Sequence, residues 1–92
     1  GDLGLAAAAA ALERGQRVLI LLHAGDALAG QRIRRRLRAD AGVRGGHLTV
    51  VLNADVVCVD GVEGVEVVVI RDARTGRLSA VNASTFLPGG AL

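Results

Sequence analysis

The chain contains no lysine, methionine, tryptophan or tyrosine, and only one residue each of phenylalanine, cysteine and proline. Each scarcity narrows what the protein can do. With Phe86 as the sole aromatic ring, the core must be built from Val, Leu, Ile and Ala. No platform exists on which unpaired bases could stack, which counts against recognition of single-stranded nucleic acid. A lone Cys58 cannot form an internal disulfide and suits a reducing compartment; flanked by valines, it reads as a small core residue. Neither His23 nor His47 has a Cys or a second His at metal-ligand spacing, so neither a metal nor a cofactor is expected. Phosphate-loop and dinucleotide fingerprints of the GxxxxGK[ST] and GxGxxG kinds are absent as well.

Length bounds the rest. Ninety-two residues, half of them apolar, make one modest domain spanning 1–92. The run LGLAAAAAAL (3–12) lacks a basic leader and carries Asp2 at its start. It falls short of the roughly 20 apolar residues that cross a bilayer, and a cytoplasmic location is the expectation. The first residue is glycine, which suits a processed product or an excised piece of a longer protein.

Apolar patterning gives the order α-β-α-β-β-β-β. Asp2 can cap a helix from about Leu3 to Arg14 that stops at Gly15. RVLILL (17–22) is an unbroken branched run, as in a strand covered on both faces. Asp26 can cap a second helix from Ala27 to Ala41, with Gly42 at its exit. HLTVVL (47–52), VVCVD (56–60), VEVVVIRD (65–72) and RLSAVNAS (77–84) read as strands. The last two form a hairpin through DARTG, with Gly76 at its left-handed position. Residues 87–92 are expected to be a flexible or partner-docked tail. The fold class is α/β, or α+β, with one mixed sheet of about five strands and two helices. With both helices on one face, the other face needs a cover, and the apolar VVVI (67–70) argues that it is buried. That cover could be a partner, a second copy or the rest of a longer protein, which favours an oligomer or a subunit.

Residues 31–38, QRIRRRLR, hold five arginines in eight positions. At 100° per residue, Gly30, Ile33, Leu37 and Ala41 share one arc, while Arg32, Arg34, Arg35, Arg36 and Arg38 fill the opposite one. Arg44 extends the patch. Solvation alone accounts for such a face. The functional alternative is contact with nucleic-acid phosphates or an acidic protein surface through guanidinium forks.

A second feature depends on topology. If 47–52 runs parallel to 17–22, both strands end at one edge, where ligands gather in open α/β sheets. His23, Gly25, Asp26, Asn53 and Asp55 would then collect there. Backbone N–H groups opening the second helix could hold an anion, and His23 with Asp26 are the catalytic candidates. The plainer alternatives are a helix cap at Asp26, a strand-end histidine and turn formers at Asn53 and Asp55.

Two resemblances touch parts of the chain. Residues 11–43 and 48–70 resemble the second RecA-like domain of DEAD-box-type helicases, with Asp55 at the position of the Asp in its TD…RG.D motif. Ala54 stands where that motif has Thr and the Arg-Gly pair is missing, so the resemblance implies no ATP turnover. Residues 80–92, AVNASTFLPGGAL, are similar to the ribose- and phosphate-binding loop of macrodomains. That similarity implies a ribose-side role for Asn82 and a phosphate loop at Gly89 and Gly90. Neither names a family. The leading expectation is a non-catalytic binding module that contacts nucleic acid or another polyanion through the arginine helix. The alternatives are a structural or interaction subunit, and a small nucleotide- or phosphate-binding enzyme that uses the strand-end edge.

Overall fold

The computed structural model describes residues 2–22, 27–41 and 47–87. In chain order these form α1 (Asp2–Glu13), β1 (Val18–Leu22), α2 (Ala27–Ala41), β2 (Leu48–Leu52), β3 (Ala54–Asp60), β4 (Val67–Asp72), β5 (Leu78–Asn82) and β6 (Thr85–Leu87). The α/β class read from the sequence is the one found. The expected single mixed sheet is instead two three-stranded sheets, ordered β2-β1-β6 and β3-β4-β5.

β1 is the centre of the first sheet and pairs in parallel on both sides. Val18 to Leu22 align with Leu48 to Leu52, and Val18 to Ile20 align with Thr85 to Leu87. All five β1 side chains are buried, and they divide by the two-residue period of a strand. Val18, Ile20 and Leu22 pack with Ala8, Ala11 and Leu12 of α1 and Leu37 of α2. Leu19 and Leu21 point the other way and pack with Val68, Ile70 and Ala83. The protein is thus three layers: helices, parallel sheet, antiparallel meander.

This layering corrects the expectation of an uncovered second face. Hairpin connections let β3, β4 and β5 fold back over β1, so the chain supplies its own cover. Inward residues Val68 and Ile70 are buried on β4, while Val67 and Val69 are only half-buried. Three valines of the outer strand β3 remain open, with Val56 at 36%, Val57 at 43% and Val59 at 46% exposure.

β6 is a strand that residue pattern alone does not reveal. At three residues it is too short to display alternation, and its parallel partners on β1 lie 67 positions earlier. Leu87, expected to open a tail, is its last residue; residues 88–92 lie outside those described. Cys58 is exposed rather than in the core. It follows a β-bulge between Val56 and Cys58 and pairs with half-buried Val69 on the outer side of the meander.

α1 ends as its sequence predicts. Gly15 takes φ +78°, and the N–H groups of Gly15 and Gln16 donate to the C=O groups of Leu12 and Ala11 at 2.9 and 3.0 Å. α2 rests on the sheet through Gly30, Ile33 and Leu37. No described helix is long and apolar enough to cross a membrane.

Candidate functional site

β2, β1 and β6 all run the same way; β1 and β2 end level at Leu22 and Leu52, and β6 ends two residues short of them, with Leu87 opposite Ile20. α2 starts at Ala27, a few residues beyond Leu22, and has no acidic residue in its first turn. The first four N–H groups of a helix lack intrahelical acceptors and carry the positive end of its dipole. This is the geometry in which anions are held at strand ends of α/β sheets.

Asn53 joins β2 to β3 at this edge. Its φ of +57° reverses the chain, a conformation asparagine tolerates better than other side-chain-bearing residues. Its N–H donates to the Leu22 C=O at 2.7 Å, and its own C=O accepts from the Ala73 N–H at 2.9 Å. The second bond draws the β4–β5 turn (residues 73–77) against the same edge.

That turn is built on Asp72. Its carboxylate accepts the N–H groups of Arg74 and Thr75 at 2.8 and 3.0 Å, and Thr75 Oγ1 accepts the Arg77 N–H at 3.2 Å. Gly76 takes φ +72°, and its N–H donates to the Asp72 C=O at 2.8 Å. The backbone bonds from Thr75 and Arg74 favour the charged carboxylate and hold its pKa below the ordinary value. Arg71, Arg74 and Arg77 flank the turn, all exposed, and Asp55 lies opposite Arg71 in the ladder. Sequence reasoning missed these three arginines as edge residues. Their clustering in RDARTGR is visible, but the Ala73–Asn53 bond that brings them there links positions twenty apart.

The arginine helix is a separate surface. Arg32, Arg35 and Arg36 are exposed, while Leu37 is 1% exposed and Ile33 is half-buried against the core. Arg34 departs from the expected arc. It follows Gly30 by one turn, is half-buried, and its guanidinium donates to the Val50 C=O at 3.4 Å. It thereby reaches a carbonyl of β2, an outer strand of the sheet. Arg38 lies on α2. His23, Gly25, Asp26, Arg44, Gly89 and Gly90 lie outside the described residues.

The structure therefore brings Asn53, Asp55 and the start of α2 to one edge, and leaves the exposed arginines of α2 on a different face. A cleft of about 440 Å³ opens at the opposite end of the parallel sheet, lined by Gly15, Gln16, Arg17, Glu66, Asn82 and Ser84 among others. Among the described residues, no three His, Cys, Asp or Glu side chains gather to hold a metal ion.

No family model matches the chain. No curated protein matches it either. Among solved structures, thioredoxin reductase from Streptococcus pyogenes MGAS5005 is similar over 79% of this chain, at 12% identity and a TM-score of 0.47. The chain spans 30% of that protein's length. A likeness of that degree carries no functional argument.

Proposed function

We propose that this chain is a non-catalytic binding domain for a small phosphate-bearing ligand of the nucleotide class, held at the carboxyl edge of the parallel sheet. One observation carries the reading: β1 pairs in parallel with β2 in a register that sets Leu22 level with Leu52, so both strands end together where the chain leads into α2. The N–H groups of the first α2 turn, which have no acceptor within the helix, receive the phosphate. Asn53 closes the floor of the edge, and Arg71, Arg74 and Arg77 supply positive charge around it. No residue is assigned a catalytic role.

Ligand-dependent melting tests this reading. A ligand at 100 times its Kd stabilises the folded state by about 2.7 kcal/mol. ADP and AMP are expected to raise the melting temperature, inorganic pyrophosphate less, and adenosine least. Equal shifts with ADP and adenosine would remove phosphate from the recognition, and no shift with any of them rejects the reading.

A second reading rests on a different observation, the exposed pair Arg32 and Arg35. Here the α2 face contacts a larger polyanion such as duplex nucleic acid. Each phosphate neutralised adds roughly 0.9 to the slope of log K against log salt, so two contacts give a slope of about −2. Oligonucleotide binding that is absent at low salt, or indifferent to salt, rejects it.

A further inference from the structure

Charge is sorted along this chain in a way that the strand-end site does not use. Five of the eleven arginines lie on α2. The stretch 60–66 that links β3 to β4 carries three acids, Asp60, Glu63 and Glu66, and no base. Each region also presents an apolar side chain to water. Val62 is 91% exposed and Leu28 is 68% exposed, the two highest values among the large apolar residues described. Leu28, Arg32 and Arg35 stand at i, i+4 and i+7, which places them in one stripe of the helix. Val62 stands between Gly61 and Glu63 at the tip of the acidic connection.

The connection is held in shape to present that tip. Asp60 accepts the Gly61 N–H on its carboxylate at 2.8 Å and the Glu66 N–H on its C=O at 2.9 Å. The turn is so tight that a Cβ on Gly61 would collide with the Gly64 carbonyl. Within one copy the two surfaces do not meet. The β3–β4 connection belongs to the meander layer at the amino end of β1, and Leu28 belongs to the helical layer at its carboxyl end.

We infer that a second copy of this chain docks its β3–β4 connection onto the α2 stripe, Val62 against Leu28 and the Glu63 and Glu66 carboxylates against Arg32 and Arg35. This names an acidic protein partner for the arginine face, and it rests on the second reading above only in requiring that face to bind anions. It does not depend on the strand-end site. The contact joins two different patches, so it is head-to-tail and propagates into a chain or closes into a ring. Exposed charge pairs contribute little singly and are screened by salt. The association is therefore weak, favoured at high protein concentration and low ionic strength.

Sedimentation velocity on the full chain tests this with two variants, Arg32→Glu/Arg35→Glu and Glu63→Arg/Glu66→Arg. All four side chains are exposed, and unchanged far-UV circular dichroism checks that each variant folds. The wild-type mass is expected to rise with concentration and to fall as salt is added. Each variant alone stays monomeric. Mixed in equal amounts, they associate again, because the acidic connection of the first meets the arginines of the second and the reversed connection of the second meets the reversed helix of the first. Val62→Ser and Leu28→Ser, which leave every charge in place, weaken wild-type association several-fold. A wild type that is monomeric at all concentrations in low salt overturns the proposal. So does association that persists in either charge-reversed variant, or a mixture that stays monomeric. A duplex oligonucleotide bound equally by wild type and Glu63→Arg/Glu66→Arg, without self-association, overturns it too and gives the face to nucleic acid.

Discussion

Replacing Gly30 with alanine is expected to stabilise the protein, although the residue is buried where α2 crosses the sheet. A Cβ at this position would lie 3.4 Å from Leu22 Cδ1 and 3.6 Å from Val50 Cγ1, at van der Waals contact with both strands. The methyl group fits without displacing backbone. Alanine then recovers about 0.8–1.0 kcal/mol of helix propensity that glycine forfeits, partly by restricting the unfolded chain. For a domain of this length 1 kcal/mol moves the melting temperature by roughly 4–8 °C, so a rise of about 5 °C is the predicted result. Valine reverses the sign. Its branched carbons extend past Cβ into Leu22 and Val50, and overpacking of this kind costs about 1–3 kcal/mol. Without Trp or Tyr the chain offers little intrinsic fluorescence, so urea and thermal unfolding are best followed by circular dichroism. An alanine variant destabilised by 1 kcal/mol or more, or a valine variant as stable as the alanine one, would refute the packing of α2 on β1 and β2.

Other substitutions probe the remaining supports. Leu37→Ala, which empties a site 1% exposed between α2 and the sheet, is expected to cost about 2–5 kcal/mol by urea unfolding; a loss below 1 kcal/mol contradicts the burial. At the left-handed Asn53, alanine should cost about 1–2 kcal/mol and glycine much less, and equal losses would mean that the φ of +57° is not what constrains the position. Asp72 has a folded-state pKa below the ordinary 3.8, so its stabilising effect is complete above that value and is lost as pH falls through the lowered pKa. The Arg74 and Thr75 amide resonances should follow that titration and lose it in Asp72→Ala; a midpoint at or above 3.8 contradicts the assigned hydrogen bonds.

Much of the fold was legible because it is written in local pattern. The unbroken VLILL needs apolar neighbours on both sides, and it is the strand with helices on one face and the meander on the other. Gly15 and Gly76 stand at positive φ because a helix end and a hairpin turn each require it there. The partition into two sheets was not legible, since residues 47–60 read as strand whether β2 and β3 join one sheet or separate at Asn53. A single residue with φ +57° makes that separation, and nothing in HLTVVLNADVVCVD distinguishes it from an ordinary bulge. β6 escaped for the same reason that Arg74 did: both take their places from partners distant in sequence. Arg34 corrects the arc expected for the arginines. At 100° per residue it stands about 40° from Gly30, on the sheet-facing side of α2, and its guanidinium accordingly meets the Val50 carbonyl rather than water.

The strand-end edge stands or falls on where a phosphate-bearing ligand perturbs the chain. Titration of the isotopically labelled protein with ADP, followed by amide resonances, reads this directly. Shifts that saturate together at Leu28 and Ala29, at Asn53 to Asp55, and at Ala73 to Thr75 are the predicted result. Perturbations gathered instead at Gly15 to Arg17, Glu66 and Ser84 would move binding to the opposite cleft, and a spectrum unchanged at millimolar ADP would contradict the account outright.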